Sequence, residues 1–150
     1  MKKLAITSGY FNPLHPGHID CFELSKTEAG ADELWVIVNN DLQAVAKRGV
    51  PSFQDEQYRC RLVASLKPVD RVFLAIDTVD ERVSICASLQ ALIEEAKASR
   101  QYDKIIFTKW GDRFASEIPE AQILRDAGVD IVDCLGWKTH NSSDYAIKRG

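Results

Sequence analysis

The chain has no surplus of positive charge, no C-x-x-C pair, no internal repeat, no low-complexity tract and no apolar run that approaches a membrane span. Each absence removes a class of function. With 19 Lys and Arg against 22 Asp and Glu, the net charge is -3, so the phosphate-neutralising footprint of a nucleic-acid binder is missing. A membrane helix needs about 20 consecutive apolar residues, and no segment supplies them. The opening MKKLAITSGYF starts basic, but its short apolar run is interrupted by Thr7, Ser8 and Gly9. It therefore fails as a secretory leader, and a cytoplasmic protein is expected. Cys21, Cys60, Cys86 and Cys134 lie far apart among apolar neighbours and are read as buried free thiols, not as a disulfide or metal framework.

Hydrophobic residues at 45% and charged residues at 27% describe an ordinary globular chain, long enough for one core and too short for two. One domain over residues 1–150 is expected. Apolar, β-branched runs recur at KLAIT, ELWVIV, RVFLAI, KIIF and DIVDCL, with helically spaced segments between most of them. That alternation predicts an α/β fold, a Rossmann-like doubly wound parallel sheet of about five strands. Helices are expected from Pro16 or Gly17 to Ala29, from Asp55 to Lys67, from Val79 to Ala98, from Pro119 to Ala127 and from Ser142 to Lys148. The third should turn Val83, Cys86, Leu89, Ile93 and Ala96 inward. On the second, Tyr58, Leu62, Val63 and Leu66 share a face, and at about 100° per residue Arg59 falls among them while Arg61 points away. An inward arginine requires an anion, either a ligand or a buried Asp or Glu.

Two of the three histidines stand in GYFNPLHPGH, between the first strand and the first helix. In open parallel sheets ligands sit beyond the carboxyl ends of strands, and the free N–H groups of a helix N-terminus attract anions. Gly9 permits a tight turn, and Gly17 leaves the helix start bare. His15 and His18 can then donate hydrogen bonds to an anion held between them. Taken alone, the pair reads sooner as a loop residue and a capped surface histidine.

Gly9, Phe11, Pro13, His15, Gly17 and His18 fit the G-x-F-x-P-x-H-x-G-H signature, so the segment resembles the nucleotidyltransferase superfamily of cytidylyltransferases and adenylyltransferases. Tyr10 stands where a small Thr or Ser is usual, and Asn12 where Asp is commoner. VNNDLQAVAKRG resembles the segment of heptose-phosphate adenylyltransferases and glycerol-phosphate cytidylyltransferases whose lysine reaches the nucleotide phosphates; Lys47 is the best match, with Arg48 next. DEQYRCRLVASLKPVD resembles the family helix that carries an arginine eleven residues before an Asp, here Arg59 and Asp70. FTKWGDRFASEIPE is similar to the K-G-G-D segment, with Gly111 and Asp112 matching and Trp110 in a glycine's place. THNSSDYAIK is similar to the C-terminal phosphate-binding signature through Ser142 and Ser143, while Asn141 and Asp144 depart from it. Lys138 is the candidate for the arginine expected upstream.

The resemblance implies transfer of a nucleoside monophosphate from ATP or CTP to a small phosphorylated acceptor, a sugar or polyol phosphate, with release of pyrophosphate. His15, His18, Lys47 and Arg59 would be catalytic. Gly9, Tyr10, Phe11, Gly17, Gly111, Asp112, Ser142 and Ser143 would bind nucleotide. Mg2+ would be held by phosphates and water and not by a protein metal site. ATP stands slightly ahead of CTP, and a homodimer is implied. The alternatives are a nicotinamide- or nicotinate-mononucleotide adenylyltransferase, a nucleotide-binding module that has lost catalysis, and a flavodoxin-like or receiver-like module, which would have no use for the paired histidines.

Overall fold

The computed structural model describes residues 1–78, 84–109 and 118–133. Five parallel strands form one sheet in the order β3-β2-β1-β4-β5. They are β1 (Lys2–Gly9), β2 (Glu33–Val38), β3 (Arg71–Leu74), β4 (Tyr102–Lys109) and β5 (Asp130–Asp133); β2, β3 and β5 lie within runs expected from the sequence, and β1 and β4 extend beyond KLAIT and KIIF at both ends. Between them lie α1 (Pro16–Thr27), α2 (Asp41–Arg48), α3 (Glu56–Ala64), α4 (Cys86–Ser99) and α5 (Ala121–Ala127).

Strand side chains alternate between two cores, as the pleat dictates. Leu4, Ile6, Trp35, Ile37, Ile105 and Phe107 meet Leu89, Leu92, Ile93 and Ala96 of α4 and Leu124 of α5 on one face. Ala5, Leu34, Val36, Val38 and Ile106 meet Phe22 of α1 and Val63 of α3 on the other. Burial on both faces is why the strands read as continuous apolar runs without polar alternation. The chain leaves β1 toward β2 on one side and returns from β3 through α4 to β4 on the other. The sheet's switch point therefore lies between β1 and β4, at the end of β1 that carries the histidine loop.

Several expectations shift. The segment after β2 contains a helix, α2, capped by Asn40, whose side-chain oxygen accepts the Gln43 N–H, and closed by Gly49 at φ 76°. α4 begins only at Cys86, because residues 84 and 85 are not helical. Tyr58 is 55% exposed, so the inward face of α3 is centred on Arg59 and Val63, both 0% exposed. Cys21 is disulfide-bonded, which corrects the reading of four free thiols, while Cys60 and Cys86 are free. The expected helix over 142–148 and the inward Val83 lie outside the described residues. No helix among the described residues is long and apolar enough to cross a membrane.

At the opposite end of the sheet from the histidine loop, Tyr102 Oη donates to Glu33 Oε1 at 2.8 Å, and Lys2 Nζ and Trp35 Nε1 donate to the same carboxylate. Burial pushes the Glu33 carboxyl up, but these three hydrogen bonds outweigh it and hold the group below its ordinary value. A lowered folded-state pKa stabilises above the ordinary carboxylate range, and that stability is lost as the pH falls through it. Glu33→Gln should therefore flatten the acid side of the stability–pH curve while leaving the neutral side nearly level. Chemical denaturation from pH 7 downward measures this, and an acid limb as steep as that of the wild type would contradict the role.

Candidate active site

The loop after β1 turns sharply: Phe11 adopts φ 54° and the Asn12–Pro13 peptide is cis. Phe11 folds back so that its ring covers Gly9, where a Cβ would stand 2.8 Å from Phe11 Cζ. The absent side chain at Gly9 thus makes room for an aromatic ring. Phe11 also meets His18 edge-on, with centroids 5.0 Å apart, and Phe22 at 5.5 Å. It is 3% exposed and forms the floor on which the His18 ring rests.

The two histidines cap the helix they begin. His15 is the N-cap residue of α1, its Nδ1 accepting the Gly17 N–H at 3.1 Å, and His18 Nδ1 accepts the His15 N–H at 3.2 Å. Imidazoles here do the work usually done by a Ser or Thr paired with a Glu or Gln. Because both Nδ1 atoms accept, each neutral ring carries its proton on Nε2. The rings stack with centroids 3.7 Å apart and planes 27° from parallel. A pair of oriented Nε2–H donors at a helix N-terminus is chemically suited to an oxyanion.

Around them opens a cleft of ≈ 600 Å³, of a size to take a nucleotide. Gly9, Tyr10, Phe11, His15, His18 and Lys47 all line it, together with Arg48. Lys47, in the last turn of α2, holds its Nζ 4.4 Å from the centroid of the Tyr10 ring, a cation–π contact. Burial raises the Tyr10 phenol above its usual pKa, against the opposing pull of Arg59 and Arg48. Gly17 is buried in the first turn of α1, behind the cleft wall.

Arg59 lies beneath this cleft. Its Nε donates to Gln54 O at 2.9 Å, its Nη1 to Tyr10 O at 2.8 Å and to Asn39 O at 2.7 Å, and its Nη2 to Asp41 Oδ1 at 2.8 Å. The ion pair with Asp41 joins a guanidinium with 0% side-chain exposure to a carboxylate with 39%. One fully buried side chain thus binds the loop after β1, the end of β2, the start of α2 and the loop before α3.

Sequence reasoning passed over three groups in the wall. Lys109 ends β4 and is 3% exposed, Glu120 is 7% exposed and accepts the Ile85 N–H at 3.0 Å, and Asn39 is 6% exposed. A signal for Lys109 was present: it stands at the K of the K-G-G-D segment, just beyond the apolar run 105–107 at the carboxyl end of a strand. Gly111, Asp112, Ser142 and Ser143, along with Trp110, Lys138, Asn141 and Asp144, lie outside the described residues. Among the described residues no group of three or more His, Cys, Asp or Glu could hold a metal ion.

Residues 6–132 match the family model described as cytidylyltransferase-like. A FAD synthase of Methanocorpusculum labreanum is 42% identical over 99% of this chain and 98% of its own length. A FAD synthase of Methanopyrus kandleri is 40% identical over a stretch that spans only 49% of each chain. Among solved structures, the lipopolysaccharide core biosynthesis protein from Thermoplasma volcanium is 26% identical, with a TM-score of 0.59 over 89% of this chain and 96% of that one.

A lysine at position 59 keeps the charge but cannot reach four acceptors from one ammonium. Arg59→Lys should cost about 3 kcal/mol of stability, with the exposed side of the Asp41 pair limiting the loss, and should lower turnover with it. Urea denaturation measures the first effect, and an unchanged midpoint would refute the structural role.

Proposed function

The chain belongs to the cytidylyltransferase-like family, and from that premise we propose that it is an adenylyltransferase that joins the AMP moiety of ATP to the phosphate of flavin mononucleotide, releasing pyrophosphate. The observation that carries the acceptor is the 42% identity to a FAD synthase across nearly the whole of both chains. FAD is flavin mononucleotide joined to AMP through a pyrophosphate bridge, so a nucleotidyltransferase that makes it needs ATP and that flavin. In this reading the sugar or polyol phosphate expected from the sequence becomes flavin mononucleotide, whose phosphate is a monoester of a ribityl chain.

The acceptor's phosphate oxygen attacks the α-phosphorus of ATP in line, forming one P–O bond as the bond to pyrophosphate breaks. No protein nucleophile takes part, so catalysis is positioning and stabilisation of charge. His15 and His18 offer their Nε2–H groups to the oxygens of the α-phosphoryl group, where negative charge is spread. Lys47 neutralises phosphate charge, and leaving the Tyr10 ring for an anion is an easy exchange at an exposed site. Arg59, with its donors engaged by Gln54, Tyr10, Asn39 and Asp41, acts as a positioning residue. Gly9, Phe11 and Gly17 shape the floor and helix start, and Gly111, Asp112, Ser142 and Ser143 complete the nucleotide site in this reading.

Glu120 is the one carboxylate in the described cleft wall, and its Oε1 already accepts a backbone N–H. That donor set suits Mg2+ that arrives on the triphosphate, held by phosphate oxygens and water, where it supplies further neutralisation of the leaving group. Homodimerisation and a cytoplasmic location, both expected from the sequence, belong to the same reading. A sugar-phosphate acceptor is the second reading, favoured by the 26% identity to the Thermoplasma volcanium protein.

The test is product formation from ATP and flavin mononucleotide with magnesium, run beside heptose 1-phosphate and glycerol 3-phosphate. FAD and pyrophosphate should appear in equal amounts. In His18→Asn the amide oxygen can replace Nδ1 as acceptor but nothing replaces the Nε2–H. That variant should melt near the wild type and lose ~10²-fold or more in rate. A wild-type protein that leaves the flavin untouched, or a variant of near-normal rate, would overturn the assignment.

A further inference from the structure

One peptide unit in the cleft wall is held from both sides. The Ser84 carbonyl accepts Gln43 Nε2 at 2.7 Å, and the N–H of the next residue, Ile85, donates to Glu120 Oε1 at 3.0 Å. Gln43 belongs to α2, which follows β2, and Glu120 is the N-cap residue of α5, which follows β4. The peptide is therefore gripped from both sides of β1. Gln43 is fully buried, and its Oε1 accepts Asn39 Nδ2 and the Asn40 N–H, so the amide that holds Ser84 is itself fixed.

This wall is built against phosphate. Where α1 begins on the two imidazoles, α4 begins on carboxylates. Asp77, itself buried, accepts the Ala87 N–H at 2.7 Å and the Ser88 N–H at 3.1 Å, while Glu120 takes the N–H of the N-cap residue Ile85. Protein anions thus already answer the free donors and the positive dipole end of α4. A phosphate brought here would meet two negative groups where water screens them little. What the wall offers the cleft instead is Ile118 and Pro119 beside the Ser84 side chain. Ser84 Oγ has no hydrogen-bond partner among the described residues. A hydroxyl among apolar side chains suits an uncharged group that gives or accepts one hydrogen bond.

We propose that this wall binds the uncharged end of one reactant, a flat ring on a hydroxylated chain, and that Ser84 is a specificity-determining residue whose Oγ hydrogen-bonds that end. The proposal rests on the nucleotidyl-transfer reading above, which puts phosphates at the imidazoles, but not on the flavin. Both reactants of that reading have this shape: ATP carries adenine on ribose, and flavin mononucleotide carries its ring on a ribityl chain. Gln43 and Glu120 reach the reactant only through the Ser84–Ile85 peptide and are positioning residues. The cleft then has two poles, which orient a molecule charged at one end only.

The experiment titrates the full-length wild type, Ser84→Ala and Ser84→Leu with ATP, with flavin mononucleotide and with inorganic pyrophosphate, each in the presence of magnesium. Ser84→Ala should weaken one of the two nucleotides by about three- to tenfold, the worth of one hydrogen bond, and the bulkier Ser84→Leu should weaken it further. The other nucleotide and pyrophosphate should stay within about twofold, and the nucleotide that weakens names the reactant. Weakened pyrophosphate, equal loss of both nucleotides, or no loss of either would overturn the proposal. In turnover, Glu120→Ala should raise the KM of that same reactant and keep kcat within about threefold. Glu120→Gln, which retains an acceptor for the Ile85 N–H, should restore it, and a fall in kcat at unchanged KM would contradict the positioning role. Wild-type protein that binds ATP but not the flavin would sink the acceptor reading alone, and the ATP and pyrophosphate titrations then decide the wall.

Discussion

The architecture of the cleft depends on one buried guanidinium. Arg59 is fully enclosed, and its hydrogen bonds to Tyr10, Asn39, Gln54 and Asp41 join four segments that adjoin the cleft. An arginine buried this way is stabilising only because each contact is made; a partly satisfied guanidinium would cost more than an apolar side chain in its place. The geometry of the loop after β1 is therefore coupled to that of α2. Tyr10 is held by its backbone carbonyl from below while its ring carries Lys47 above.

The sheet supplies the second constraint. Its two cores fix β1 rigidly between β2 and β4, with Leu4, Ala5 and Ile6 at 0% exposure, so the loop that follows starts from an immobile base. Phe11 then transmits that rigidity upward. It packs on Phe22 of α1, covers Gly9 and meets the edge of His18. Functional groups held by such packing need little rearrangement when charge develops, which is the condition for electrostatic catalysis.

Much of this was legible in the residues. All five strands were visible as apolar runs, continuous in β1, β2 and β4 because burial on both faces leaves no polar alternation, and the histidine loop stood out through six fixed positions in ten residues. The inward turn of Arg59 followed from helical spacing alone. Its partners did not, because the acceptors are backbone carbonyls at Tyr10, Asn39 and Gln54, which no side-chain pattern encodes. Lys47 was found through resemblance, but the helix that carries it was not, since α2 is only eight residues long, buries only Gln43 and Ala44, and leaves Leu42 and Val45 exposed instead of packed on the sheet. Lys109 stands at the K of the K-G-G-D segment, but its burial in the cleft wall is set by the packing at the end of β4, which the motif does not encode. The disulfide at Cys21 was missed because the spacing of four scattered cysteines does not encode pairing.

The double duty of the imidazoles also bears on how such a chain could change over generations. At most active-site positions stability and chemistry pull apart, so a lineage released from selection for turnover gains by replacing the functional residue. Here His15 and His18 hold the first turn of α1 together through Nδ1, a structural task separate from the transfer chemistry proposed for Nε2–H. Drift to an apolar residue would be purged for folding even where the reaction no longer mattered. A descendant that abandoned the chemistry would keep acceptors at these two places, serine, threonine, asparagine or aspartate at 15 and glutamate or glutamine at 18. A silent paralogue would thus be recognisable by ordinary helix caps standing where its ancestor had a pair of stacked rings.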